Sequence, residues 1–337
     1  MKVDAPLVTA ALSEVPRIAR DIETMGYDGV YTFEGPHDPF FPLALAAEHT
    51  ERLDLATAIA VAFARSPMNL AHIGWDLQTF SKGRAILGLG SQIKPHIEKR
   101  FSMPWSRPAA RMREMVLAIR AIWATWQDGT PLRFEGEIYR HTLMTPFFTP
   151  EPTEYGPARI FLAGVGTGMT EVAGEVADGF LVHPFSTAEF IREHTLPALD
   201  RGLAASGRTR ADIEISWPAM VVTGVTEADV TAAASVTRSQ LAFYGSTPAY
   251  RVVLDTHGWG DLQPELNRLS KEGRWDVMAS LIDDEMLSTF AVCGAPSEIA
   301  AMMQARYGDL VDRIAFNAPY RSDPTAWAET LAGFRAP

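Results

Sequence analysis

The chain has 337 residues, 47% of them apolar, a mean hydropathy of −0.02 and a formal net charge of −11, which describes a globular protein with an ample core. With an acidic balance and no basic cluster, neither nucleic acid nor an anionic membrane is expected as a partner. Cys293 is the only cysteine, which excludes an intrachain disulfide and a cysteine zinc cluster. The N-terminal MKVDAPLVTAA lacks the charge and apolar run of a signal peptide, and no segment has the length of a membrane span, so a cytoplasmic location is expected.

Strand-like and helix-like segments alternate from the start. Val3–Val8 reads as a first strand and Ser13–Met25 as a helix, with Ser13 as its N-cap and Gly26 at its C-terminal end. Strand Gly29–Phe33 leads to helix Leu43–Thr50, and strand Asp54–Ile59 to helix Pro67–Phe80, whose proline suits a first turn. Strand Arg84–Leu89 ends at Gly90, Ser91 and Gln92, ahead of a long amphipathic helix over Ala109–Trp126. Residues 131–152 break the rhythm, and LRFEGEIYRHTLM reads as an antiparallel hairpin turning near Gly136. Strands Ile160–Ala163, Gly179–Val182 and Ile213–Thr223 follow, and 226–295 is an excursion rich in helix formers. Strand Arg313–Asn317 and helix Pro324–Phe334 close the chain. Eight strand–helix units are the number that closes an α/β barrel. The fold expected is a single-domain (β/α)8 TIM barrel over 1–337, with a helical insertion before its last strand. The excursion is too long for a passive loop and is expected to form a lid or an extra subdomain near the active-site mouth.

Active sites of such barrels lie at the C-terminal ends of the strands. After the second strand come Glu34, His37 and Asp38. A histidine beside carboxylates titrates near neutral pH and can supply an acid or base; alternatively, Asp38-Pro39 starts the next helix and His37 is a loop residue. The third tip, ATAIAVAF, offers only small and apolar groups, which suit the face of a flat heteroaromatic ring or an ordinary barrel core. Arg65 beyond it can meet an acidic group or pair with a carboxylate. His183 directly follows the sixth strand, where it is either a site residue or satisfied structurally. Between a strand and a helix, Gly164, Gly166 and Gly168 leave backbone N–H groups uncovered at a helix N-terminus, where a phosphate can be held. The same glycines also simply permit tight turns. No set of histidines at the tips supports a metal site. Arg251 and Lys271 in the excursion can meet an anionic group or remain solvated.

Taken together, GYDGVYTFEGPHDPFFPLALAAEHT, TAIAVAFARSPMNLA, SKGRAILGLGSQIKPHIEKRFSM and FLAGVGTGMTEVAGEVADGFLVHPF resemble the luciferase-like monooxygenase superfamily. Within it they resemble the deazaflavin (coenzyme F420)-dependent oxidoreductase branch. The resemblance runs through most of the chain and implies a (β/α)8 barrel with a late insertion, in agreement with the strand count. It implies hydride transfer between F420 and a small organic substrate, either an alcohol/carbonyl pair or an activated C=C or C=N bond. One alternative is an FMN-dependent monooxygenase that uses oxygen and a partner reductase, and another is a non-catalytic flavin-binding barrel.

Carried over by position, the family's acidic residue at the second tip falls on Glu34. Many relatives have Asp-His there, whereas this chain has Glu34-Gly35 with His37 beyond; His37 is therefore expected to handle the proton, with Glu34 as its orienter or an alternate acid/base. The family's bulge after the third strand, often with a cis non-proline peptide behind the ring, maps to Thr57, Ala58, Ile59 and Ala60. Ser91 and Gln92 match the tip that meets the ring or its side chain, and Ile93 stands where several relatives carry a catalytic glutamate. Gly164, Val165, Gly166, Thr167 and Gly168 match the cofactor phosphate site. A homodimer is implied in the same way.

Overall fold

The computed structural model describes residues 1–7, 11–321 and 323–335; the end of the expected first strand at Val8 lies outside them. In chain order the strands are β1 (Lys2–Pro6), β2 (Gly29–Thr32), β3 (Asp54–Thr57), β4 (Ala60–Val61), β5 (Ala85–Gly90), β6 (Phe134–Glu135), β7 (Arg140–His141), β8 (Arg159–Gly164), β9 (Gly179–Val182), β10 (Glu214–Val222), β11 (Ala291–Cys293) and β12 (Arg313–Asn317). Strands β1, β2, β3, β5, β8, β9, β10 and β12 each lead into helical structure, the eightfold succession expected of a (β/α)8 barrel. The chain divides into two compact units, Asp4–Leu181 with Ala198–Glu214, and Met1–Val3 with Val182–Pro197 and Ile215–Pro337.

In the first of these units the strands pair in parallel, with Val30 opposite Leu55, Leu55 opposite Ala85, and Leu87 opposite Ile160. All of β5, AILGLG, is buried, as befits a parallel strand covered on both faces. Helix Val15–Met25 buries Val15, Ala19 and Ile22, one face at helical spacing, against Val30, Leu43, Leu53 and Leu55. Gly26 ends that helix in the left-handed region at φ +93°, as expected. Ser13 is not its N-cap. The chain enters through a 3-10 turn over Leu12–Glu14, so the residue at the cap is Glu14 in an already helical conformation, whose side chain makes no cap hydrogen bond. The hairpin forms as read, with Phe134 opposite His141 and Glu135 opposite Arg140.

The expected third strand, Asp54–Ile59, is interrupted. Pairing stops at Thr57 and resumes when Ala60 of β4 meets Leu89 of β5, so residues 58 and 59 form a bulge. Below it, Ile86, Phe161 and Leu181 pack against Ala56, Ala58, Ile59 and Ala163. Two glycines of β5 make room for the bulge. A Cβ on Gly88 would lie 1.7 Å from the Thr57 carbonyl oxygen, and one on Gly90 would lie 2.7 Å from the Ile59 side chain. The Thr57 hydroxyl fastens the contact by donating to the Gly88 carbonyl at 2.7 Å.

In the other unit, β10 pairs in parallel with β11 and β12, with Met220 opposite Ala291 and Trp217 opposite Ile314. The excursion is helical over Glu227–Gly245, Arg251–Thr256, Leu262–Lys271, Trp275–Ser280 and Asp284–Phe290. Its last residues instead form β11, a three-residue strand too short to show a period in the sequence. Among the described residues no helix is long and apolar enough to cross a membrane.

Gly88→Ala is expected to lower unfolding stability by at least about 3 kcal/mol, because the new methyl meets backbone rather than a yielding side chain. Urea unfolding of the two proteins measures it.

Candidate active site

The second strand tip and the bulge are joined by backbone bonds. The Ala58 amide donates to the Thr32 carbonyl at 2.6 Å, and the Glu34 amide donates to the Ile59 carbonyl at 2.9 Å. The Ala58–Ile59 peptide is cis, within the segment where the resemblance implies such a bond. The Glu34 side chain, 7% exposed, accepts at one oxygen from the Val61 amide (2.7 Å) and from Arg65 Nη1 (2.6 Å). Arg65, 15% exposed, also donates to Asp38 Oδ2 at 3.0 Å and to the Val61 carbonyl at 3.1 Å, with its guanidinium over the Phe40 ring. Charge-assisted bonds in a partly dry setting are stronger than exposed ion pairs. Arg65 is thus a partner of carboxylates within the chain.

This corrects the expectation that Glu34 orients His37. The carboxylate is committed to Arg65 and Val61, while His37 is exposed and has no hydrogen-bond partner among the described residues. The loop carrying His37 is held instead by Arg100, which donates to the Gly35 carbonyl at 2.6 Å. Asp38 accepts from the Phe40 amide at 2.9 Å and so starts helix Phe40–His49.

At the tip of β5, Gln92 adopts φ +59°, uncommon for a residue with a side chain. Its Oε1 accepts from the Ile93 amide at 3.0 Å, and the Ser91 hydroxyl donates to its carbonyl at 3.1 Å. Non-glycine residues in this region concentrate at ligand sites.

Past β8, Gly166 is the extended N-cap of helix Thr167–Val176, which has no side-chain cap and no acidic residue in its first turn. The opening amides of such a helix lack intrahelical acceptors, leaving those of Thr167 and Gly168 for an outside anion. Tight turning does not account for these glycines, since none of Gly164, Gly166 and Gly168 has positive φ. Gly164 makes room for Met169, whose side chain would lie 2.8 Å from an added Cβ. A Cβ on Gly166 would meet nothing within 4 Å, and one on Gly168 would meet only Ala109 at 3.7 Å. The turn therefore leaves open space at Gly166 and Gly168 beside the uncapped amides, which a phosphate fits.

In the other unit, His183 follows β9 and accepts at Nδ1 from the Phe185 amide at 3.0 Å. It packs against Tyr244 and Tyr250, ring centroids 5.0 and 4.5 Å away. Burial pushes its pKa down to about 4, so it is uncharged at neutral pH. Sequence reasoning does not single out the tyrosines because they lie far downstream, within the helical excursion. Arg251 turns to Asp255 and Asp261.

Residues 1–313 match the profile of a family described as luciferase-like monooxygenase. The chain belongs to that family. An uncharacterised protein of Mycobacterium tuberculosis is 61% identical over 87% of this chain and 86% of its own length. The 5,10-methylenetetrahydromethanopterin reductase of Archaeoglobus fulgidus is 28% identical over 82% of this chain and 81% of its own. The solved coenzyme F420 dependent tetrahydromethanopterin reductase of Methanopyrus kandleri matches at a TM-score of 0.80 with 19% identity, covering 99% of this chain and 96% of that one. That likeness carries the fold, the (β/α)8 barrel expected from the strand count.

Two outcomes follow for this member of the family. Glu34→Gln is expected to cost about 2–3 kcal/mol by leaving Arg65 half-paired, whereas Asp38→Asn, at a carboxylate 38% exposed, costs less than about 1 kcal/mol; chemical denaturation measures both. His183 stays neutral in the native state, while in the unfolded chain it takes up a proton near pH 6.5. The unfolded state therefore binds more protons between about pH 6.5 and 4, and stability falls as pH drops through that window, by about 2–3 kcal/mol at pH 4.5. His183→Gln is expected to remove most of that slope in urea unfolding at pH 7 and 4.5.

Proposed function

We propose that the chain is an F420-dependent oxidoreductase that transfers a hydride between the deazaflavin and a small organic substrate, an alcohol/carbonyl pair or an activated C=C or C=N bond. The observation that carries this reading is the open, uncapped glycine turn at Gly164–Gly168, after a barrel strand, in a chain whose relatives include reductases. Gly164, Val165, Gly166, Thr167 and Gly168 would hold the phosphate on the Thr167 and Gly168 amides. Thr57, Ala58, Ile59 and Ala60 would back the ring, and Ser91 and Gln92 would meet the ring or its side chain. When bound, the deazaflavin supplies a carbon centre that takes or gives a hydride and reacts poorly with oxygen.

The protein's own part is positioning and proton handling. His37 is the residue assigned to give or take the substrate proton, being exposed and without a hydrogen-bond partner among the described residues, on a loop fixed by Arg100. Glu34 acts by holding Arg65 and the Val61 amide, which keeps the bulge in place. Ile93, in the position where several relatives carry a glutamate, contributes no second acid, and His37 is left to that role alone.

Anaerobic titration with F420 and, separately, FMN, followed by cofactor fluorescence, is expected to give tight F420 and weak FMN binding. The reverse preference would favour oxygen-using chemistry, and binding of neither would end the reading. Gly166→Ala, which clashes with nothing, is expected to weaken F420 binding roughly tenfold without changing the melting temperature. His37→Asn is expected to slow hydride transfer by about 10²–10⁴-fold at unchanged F420 affinity, read by deazaflavin absorbance.

A further inference from the structure

Directly beyond the C-terminal end of β9, His183 packs against two tyrosines. With Nδ1 accepting from the Phe185 amide at 3.0 Å, the neutral ring carries its proton on Nε2. Tyr250 leans on it, ring centroids 4.5 Å apart and planes inclined at 41°. Tyr244 meets the ring edge-on at 5.0 Å, and its hydroxyl oxygen accepts from Gln240 Nε2 at 2.9 Å. The Tyr244 O–H has no acceptor among the described residues, but the two groups there that carry no hydrogen bond at all are His183 Nε2–H and Tyr250 Oη–H. Among the described residues neither has an acceptor, and neither is one of the atoms sealed away unpartnered in the interior. An oxygen that reached either of them would break no internal bond.

The surroundings decide what kind of oxygen. Phe185 stacks near Tyr250 at 6.1 Å and on Phe290 at 4.6 Å, giving the pair an apolar wall. The adjacent cation, Arg251, is spent on Asp255 and Asp261. Burial keeps both donors in their uncharged, protonated forms, pushing His183 down to about 4 and Tyr250 up to about 12. Neutral donors against aromatic faces match an uncharged carbonyl or hydroxyl better than a phosphate or carboxylate, whose desolvation they could not offset.

We propose that His183 and Tyr250 form a two-donor site for the oxygen of a ketone- or alcohol-class ligand, flanked by Phe185 and the ring of Tyr244. Identifying that ligand with the substrate rests on the hydride-transfer reading above; the site itself does not.

The test is ¹⁵N-histidine NMR of the full chain titrated with cyclohexanone and with cyclohexanol, with F420 absent and present, F420 binding being followed by fluorescence in the same samples. The His183 Nε2 resonance is expected to move saturably with at least one probe. Tyr250→Phe weakens that probe roughly five- to tenfold, whereas Tyr244→Phe, whose lost hydroxyl serves Gln240, changes its affinity less than about twofold. Urea unfolding checks that each variant is folded. Equal losses in both variants, or a resonance that neither probe moves in either state, overturns the proposal. A probe response in a protein that does not bind F420 supports the site and removes the substrate identification. F420 binding without a probe response overturns the site and leaves the function reading standing.

Discussion

The contact of Gly88 with the Thr57 carbonyl is the constraint on which the bulge of the first unit depends. A side chain of any size at position 88 would lift β3 away from β5, since its first carbon would already stand 1.7 Å from a backbone oxygen. With glycine there, the strand can stop pairing at Thr57, bulge through Ala58 and Ile59, and resume at Ala60. The result is a stretch of small residues whose backbone is reachable at a strand end, where larger side chains would cover it.

A bulge needs polar partners for the groups it takes out of the sheet, and here they come from the neighbouring tip. Thr32 and Glu34 supply a carbonyl and an amide to Ala58 and Ile59, and the Glu34 carboxylate takes the Val61 amide. Because Arg65 shares that carboxylate oxygen, the charge is compensated where it is nearly buried. The Glu34 carboxylate at this tip is thus tied into the architecture, and the histidine three positions later is exposed, with no hydrogen-bond partner among the described residues. That division of labour is a property of local bonding, and composition alone does not reveal it.

Much of the architecture was legible because the strands are short apolar runs separated by long amphipathic helices, and glycine at position 26 marks a helix end by conformation. The glycine-rich turn was legible too, since three glycines between a strand and a helix are visible as such. What the pattern hid were events without a period. The break after Thr57 is masked by the unbroken apolar run ATAIAVAF. The 3-10 entry before Val15 leaves Ser13 looking like a cap. The three-residue β11 is too short to alternate. At the candidate site, His37 and Glu34 look like a pair because they are close in sequence, yet Arg65, 31 residues beyond Glu34, takes the carboxylate. His183 was visible at a strand end, but its tyrosine neighbours are brought to it only by the fold.

The central claim is that the uncapped amides after β8 bind the phosphate of F420 while the Thr57–Ala60 bulge backs its ring. A crystal structure of the chain grown with oxidised F420 under anaerobic conditions tests it most directly. The account predicts phosphate oxygens within hydrogen-bond distance of the Thr167 and Gly168 amides, and the deazaflavin ring lying on Ala58 and Ile59. A cofactor whose phosphate sits elsewhere, with those two amides left to solvent, would contradict it.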